Sequence, residues 1–295
     1  MTLFRNITGR VIIHTILILL SVVFIVPILI LISTSISSEA QIAGHGYSIF
    51  PRLIDFTAYR YIFKNPASII SGYRVTVIVS VVGTLSGMMI MMMCAYALAR
   101  RHFNYRRIVN FYLFFTMLFG GGLIPTYILT TQYLNLQNTI WVIILSQLVN
   151  VWYVFILRTF IKDIPEAIIE SAMIDGASEF KIFLHIILPM SKSAIATIGL
   201  FTLLAYWNEW MTALLYINKP ELFTLQYLLQ KIMLNLQAML QNMNKVPSNM
   251  ATNEAIPSET ARMAMVIIAA GPMIVIMPFF QKYFTRGMTI GAVKG

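Results

Sequence analysis

Two clusters of side chains carry groups able to recognise or transmit something. The first is Tyr206-Trp207-Asn208-Glu209-Trp210. Aromatic faces can stack on sugar rings, and an amide beside a carboxylate can hydrogen-bond to hydroxyls. Glu209 is the one acidic residue inside a long apolar run of this chain. A carboxylate at membrane depth is costly enough to be a functional candidate. The same five residues also read as an aromatic belt at a membrane edge, with Glu209 reaching headgroup water. The sequence leaves these two readings open. The second cluster is the stretch 162–189, which holds five of the chain's 11 acidic residues: Asp163, Glu166, Glu170, Asp175 and Glu179.

Neither cluster looks like a catalytic centre. The chain contains no Gly-x-x-x-x-Gly-Lys-Ser/Thr, so nothing in it is built to cradle the phosphates of ATP. His-Glu-x-x-His and Gly-x-Ser-x-Gly are absent too. Cys94 is the single cysteine and lies in an apolar run, where a small buried side chain is expected. No metal site and no resident cofactor are expected. His14 is the only histidine in an apolar run and reads as an interface-facing or satisfied side chain.

The elements that must position these clusters follow from composition. Hydrophobic residues make up 58% of the 295 residues and charged residues 11%; mean hydropathy is +0.77. A soluble domain carries roughly 25% charged residues. This chain cannot cover its surface with polar groups, so an all-α integral membrane protein is expected. A helix needs about 20 apolar residues to cross the hydrocarbon core. Six segments serve: 11–33, 75–99, 108–130, 139–157, 193–217 and 263–280. The first is too long for a cleavable signal and has no small-x-small site after it, so it reads as a retained anchor. The segment 1–74 is then an anchor helix with an outer loop, and 75–295 the core domain. The net charge of +10 fits basic loops against anionic lipid; no interleaving of aromatic and basic residues suggests nucleic acid. With the N-terminus in the cytoplasm, 13 Lys and Arg fall inside and 8 outside, so both termini of a six-span chain are expected in the cytoplasm. The outside set includes Arg52, Arg60, Lys64 and Arg74, which could favour an acidic glycan but read first as solvated loop charge.

Local chemistry gives 162–189 a structure of its own. Asp163 is placed to cap a helix, with Pro165 in its first turn. Gly176 permits a turn that other residues resist. Ser178 is placed to cap a second helix with Glu179 in its first turn, and Pro189 to break it. Ala167, Ser171, Ala172 and Ala177 are small enough to let a partner surface approach closely. Elsewhere, Gly120-Gly121-Gly122 with Pro125 interrupts the third span. This is either a hinge or a site of close helix packing, and the habits of small residues favour packing. Gln147 and Asn150 are weaker candidates for the substrate pathway, and helix–helix hydrogen bonding is the favoured reading of them. An amphipathic helix is expected over 225–243, followed by a polar stretch.

The motifs of the hairpin carry a family resemblance. Glu170-Ser171-Ala172, Asp175-Gly176-Ala177 and Ile187-Leu188-Pro189 resemble the EAA loop of ABC-importer permeases, with Ser171 for the middle alanine. The Asp-Gly-Ala form and the tail 287–295 are similar to the carbohydrate subfamily of maltose-type G subunits. The resemblance covers about 75–295. It implies six transmembrane helices of the ABC type I importer kind, with 162–189 as a cytoplasmic coupling helix docked on an ATPase subunit. Glu166, Glu170, Ser171, Ala172, Asp175, Gly176, Ala177, Leu188 and Pro189 would form that contact. Trp207, Asn208, Glu209 and Trp210 are the substrate-pathway candidates. The implied partners are a second, different permease, two copies of a cytoplasmic ATPase that bind ATP and Mg, and an external sugar-binding protein. The implied setting is the bacterial inner (cell) membrane, and the implied cargo an oligosaccharide. The alternative is an ATP-independent secondary transporter, which predicts internal repeats; none is visible, and it leaves the acidic hairpin unexplained.

Overall fold

The computed structural model describes residues 2–243 and 258–291. Most of the polar stretch after 243 and the end of the tail, 292–295, lie outside the described residues. The described residues are helical, with one isolated antiparallel bridge between Ser37 and Ile54. Three helices are long and apolar enough to cross a membrane singly, within Gly9–Ser35, Pro66–Ala99 and Ser258–Phe280. The other three expected spans are broken pairs.

The chain divides into two compact units. One comprises 1–66 with 229–272, the other 67–228 with 273–295. The first unit opens with α1 (Thr2–Ser35), whose apolar residues from Val11 to Ile32 stand largely exposed. A helix apolar all round and bare of protein partners is suited to lipid. Two short helices follow, α2 (Glu39–His45) and α3 (Thr57–Ile62). In this unit Glu39 accepts hydrogen bonds at the start of the last helix, α15 (Ser258–Gly291). Its carboxylate receives the Glu259 and Thr260 amides at 3.0 and 3.1 Å, and the Ser258 and Thr260 hydroxyls at 2.8 and 2.9 Å. A helix start leaves its first amides unpaired, and a carboxylate suits both those donors and the helix dipole.

The second unit is organised around α4 (Pro66–Ala99), a single 34-residue helix that begins nine residues before the expected span. Pro66 opens it because a first-turn residue needs no amide hydrogen. Gly83 and Gly87 sit one turn apart on α4. A methyl group on Gly83 would lie 2.5 Å from Tyr206 Cζ, and one on Gly87 2.6 Å from the Leu148 carbonyl oxygen. Bare backbone at these two positions therefore admits the Tyr206 ring and the peptide of Leu148. Tyr206 is fully buried and donates to the Ile144 carbonyl at 2.7 Å.

The third, fourth and fifth spans are not continuous. The third comprises α5 (Arg106–Leu118) and α6 (Leu123–Ile128), which runs on through a π turn, Leu129–Tyr133; the two arms are bent by 111°. Gly122 turns the chain at φ 81°, and no heavy atom lies within 4 Å of a methyl placed on Gly120 or Gly122. Among the described residues nothing packs closely on Gly120 or Gly122; Gly122 supplies a bend that L side chains resist. The fourth span is α7 (Ile140–Ser146) and α8 (Val151–Lys162), bent by 54°. Asn150 caps α8, accepting from the Trp152 and Tyr153 amides at 3.0 and 3.4 Å, a role differing from the expected helix–helix bond. The fifth span, α12 (Lys192–Trp207), stops ten residues before its expected end, and α13 (Met211–Tyr216) follows as a separate helix. The expected amphipathic helix is present as α14 (Leu225–Met243).

Candidate functional site

The acidic stretch folds as a helical hairpin. α9 (Glu166–Ile174) is followed by Gly176 at φ 78° and by α10 (Glu179–Ile182). The Ala177 amide bonds the Ala172 carbonyl at 2.9 Å and the Gly176 amide bonds Met173 at 3.0 Å, the paired closure of a helix end by a left-handed residue. Ser178 caps α10 through the Lys181 amide at 3.3 Å. Asp163 does not cap α9; α8 runs through Lys162, so Asp163 closes that helix instead. Pro189 does not end the second arm. The helix continues through a π turn, Phe183–Ile187, into α11 (Leu188–Met190), and the chain bends by 82° beside Ser191. Pro189 has no amide to offer, and the wider turn before it absorbs the lost bond: the Leu188 amide reaches five residues back to Phe183.

One face of the hairpin is fastened to its own unit. Ile169, Ile182, Phe183 and Ile187 are buried in a core shared with Met88, Met92, Leu157 and Ile198. Ala172, Ala177 and Leu188, each partly buried, pack against that core. Polar ties reinforce the packing. Arg100, at the end of α4 and nearly buried, pairs with Glu179 at 3.0 Å. The Tyr96 hydroxyl donates to the same carboxylate. Arg101 pairs with Glu166 at 3.2 Å. The opposite face is open: Glu170, Ser171, Asp175 and Gly176 are exposed, as is Pro189 on the second arm. Exposed apolar side chains stand among them, Ile174 at 86% and Phe180 at 57%. Ile174 was not legible as a surface residue, because an isoleucine ending a helix ordinarily reads as core. The Arg100 and Tyr96 ties were equally hidden, since each spans about 80 residues of sequence.

The second candidate cluster sits at two helix breaks. Gln147 Nε2 donates to Glu209 Oε2, and the Thr212 amide donates to Glu209 Oε1 at 2.6 Å. The Thr224 hydroxyl donates to the Glu209 carbonyl at 2.8 Å. Glu209 thus joins the break before α8 to the break after α12, and breaks leave backbone groups that need such partners. The four pathway candidates do not share one surface. Trp207 is 3% exposed and lies 6.4 Å from Tyr73 between ring centroids. Asn208 is exposed and accepts from Gln226 at 3.2 Å; Trp210 is 40% exposed. Beside Gln147 is a cavity of about 410 Å³ lined by Gln147, Asn150, Trp152, Tyr153, Thr116 and Thr202. Its mixture of aromatic rings with amide and hydroxyl groups is the chemistry expected for a polyhydroxylated solute. The sequence signal for it was the pair Gln147 and Asn150 inside an apolar run. The missed signal for the breaks was Gly83-x-x-x-Gly87, the spacing that lets a neighbouring backbone approach a membrane helix. Among the described residues, no group of three His, Cys, Asp or Glu is placed to hold a metal ion.

Comparison with known proteins agrees with this architecture. A polygalacturonan/rhamnogalacturonan transport system permease protein, YtcP of Bacillus subtilis, is 35% identical over 99% of this chain and 100% of its own length. Protein LplC of the same organism is 36% identical over 92% of this chain and 90% of its own. The solved structure of a bacterial ABC transporter that imports the acidic polysaccharide alginate matches with a TM-score of 0.78 and 26% identity, over 95% of this chain and 97% of that one. The family model described as "Binding-protein-dependent transport system inner membrane component" matches residues 1–290. An all-helical membrane chain with broken spans, a projecting hairpin and these relatives is a permease component of an ABC importer, and it belongs to the binding-protein-dependent transport system inner membrane component family.

Proposed function

We propose that the chain forms half of a transmembrane pathway for an oligosaccharide, handed over by an external binding protein and driven by separate cytoplasmic ATPase subunits. The observation that carries this reading is the hairpin: one face fastened to α4, the other presenting Ile174, Phe180 and small or acidic groups to solvent. Exposed apolar side chains on a soluble-facing element suit a protein partner. In this reading Glu170, Ser171, Asp175 and Gly176 meet the ATPase. Glu166, Ala172, Ala177, Leu188 and Pro189 hold the hairpin in shape. A push on the hairpin reaches the membrane through Glu179, Arg100 and Tyr96, because these join it to a single long helix. ATP and Mg are held by the ATPase, both termini lie in the cytoplasm, and a second, different permease completes the pathway. Solute passes the cavity beside Gln147 and Asn150. Two relatives carry polysaccharide cargo by name, one of it acidic; Arg52, Arg60 and Lys64 of the first outer loop would suit an acidic glycan, which competition between acidic and neutral oligosaccharides for uptake tests.

The test of coupling is Ile174→Asp. Ile174 touches solvent, so membrane insertion and melting should be unchanged. Recovery of the ATPase with the purified chain should be lost, together with ATP-driven uptake. Undiminished ATPase recovery and uptake in this variant, or uptake by vesicles that contain no ATP, removes the hairpin from the mechanism.

A further inference from the structure

A group of cations on the hairpin's side of the membrane outnumbers the free carboxylates beside it. α5 begins at Arg106 and α8 ends at Lys162, with Arg158 one turn earlier on α8. Arg106 and Arg158 both stand near enough to Lys162 for their charges to act on it. Among the described residues no ion pair includes any of the three. Arg158 donates to Asn110 at 3.0 Å, but its Nε is buried and makes no hydrogen bond. Arg106 and Lys162 open onto a cavity of about 430 Å³, walled on its far side by Pro165, Glu166 and Ile169 of the hairpin. Glu166 is already paired with Arg101, so among the described residues Asp163 is the one carboxylate of the lining outside an ion pair, set against Arg106 and Lys162, with Arg158 one turn from Lys162 and outside the lining. Uncompensated like charges held together by the fold call for an anion.

The surroundings say which anion. Within two turns of the cations, α5 exposes Ile108, Phe111 and Tyr112, and α8 exposes Phe160. These side chains belong to membrane-spanning arms, so the cations stand where headgroups begin and acyl chains lie beside the exposed rings. We infer that the cavity at Arg106 and Lys162, with Arg158 one turn away on α8, binds the phosphate of an anionic phospholipid headgroup, from the leaflet on the hairpin's side. Basic pockets at the ends of spans are suited to such headgroups. A lipid bound here touches α9 through Pro165 and Ile169 and steadies the hairpin; that consequence, though not the site itself, rests on the coupling reading.

The test is lipid retention by native mass spectrometry, on the transporter assembled with its partners in phosphatidylglycerol or phosphatidylcholine nanodiscs. Phosphatidylglycerol should stay bound and phosphatidylcholine should not. Arg106→Gln with Lys162→Gln should weaken retention roughly thirtyfold, the weight of two basic groups near an anionic surface. If the double variant does not assemble, Arg106→Gln alone should give about fivefold by the same measure. Lys162→Arg, which keeps the charge, and Arg107→Gln, outside the cavity, should retain the lipid. Equal retention in wild type and the Gln variants overturns the site. So does absence of the lipid from the assembled wild-type transporter in phosphatidylglycerol, which would assign the cations to an acidic protein surface. Inorganic phosphate retained by the phosphatidylcholine-embedded protein would replace the lipid by a free anion. Retention is read without ATPase activity, so failure here leaves the coupling proposal standing.

Discussion

Gly87→Ala should damage this protein although it adds one methyl group to a helix. The new Cβ would lie 2.6 Å from the Leu148 carbonyl oxygen. A comfortable carbon–oxygen contact is about 3.3 Å or more, so something must shift by roughly 0.7 Å. That oxygen belongs to the backbone and cannot rotate aside. It lies in the break between α7 and α8, next to Gln147, which bonds Glu209, and to Asn150, which caps α8. Overpacking of this kind costs about 1–3 kcal/mol, and exchanging helical Gly for Ala returns up to about 1 kcal/mol. Gly199→Ala on α12 separates the two effects. There the nearest atom is a flexible side-chain carbon of Met88 at 4.0 Å, so only the propensity gain operates. Both variants share that gain, and their difference isolates the clash at about 1–3 kcal/mol. For a chain this long that is about 2–5 °C between their melting temperatures. The assay is thermal unfolding of the purified transporter in detergent at a fixed scan rate. Melting of the two variants within 1 °C of each other, by the same scale, would refute the claim that Gly87 seats the break of the fourth span.

Other outcomes follow from the same geometry. Glu39→Ala removes the carboxylate from the start of α15 and should cost about 1–2 kcal/mol. Burial pushes the Glu39 carboxyl up, but the Glu259 and Thr260 amides and the Ser258 and Thr260 hydroxyls outweigh it and hold it below its ordinary value of 4.5. Its stabilisation should therefore be complete above that value and fade as pH falls through the lower folded one; melting against pH should show a loss in wild type that is missing in Glu39→Ala. Gly176→Ala forces a side chain to φ 78° and should cost about 1–2 kcal/mol at the hairpin turn, read as faster proteolysis between α9 and α10. Arg100→Gln leaves the Glu179 carboxylate with Tyr96 alone, and should lower ATP-driven uptake more than ATPase activity. Equal losses of both would mean that the ion pair serves assembly and not transmission.

What the sequence determined by itself was solvent and local form. A chain with 11% charged residues must lie in lipid, and each span announces itself by its own apolar length. The hairpin was legible for the same reason: Gly176, Ser178 and the acidic first turn act within a few residues of themselves. Local signals failed where the partner was remote. Asp163 has the right chemistry for a cap, but the preceding helix had not yet ended. Glu209 looked free to bind a solute or reach water; its actual partner, Gln147, lies 62 residues away. Apolar length cannot reveal that the third, fourth and fifth spans bend, because a broken span is as apolar as a straight one. A break is stable only where other groups satisfy the backbone it exposes, and here the Thr224 hydroxyl meets the Glu209 carbonyl and the Tyr206 hydroxyl that of Ile144, while bare Gly83 and Gly87 leave room for the Tyr206 ring and the Leu148 peptide. Which of those groups would meet was decided by the packing of α4 against α7 and α12, and only the tertiary structure holds that information.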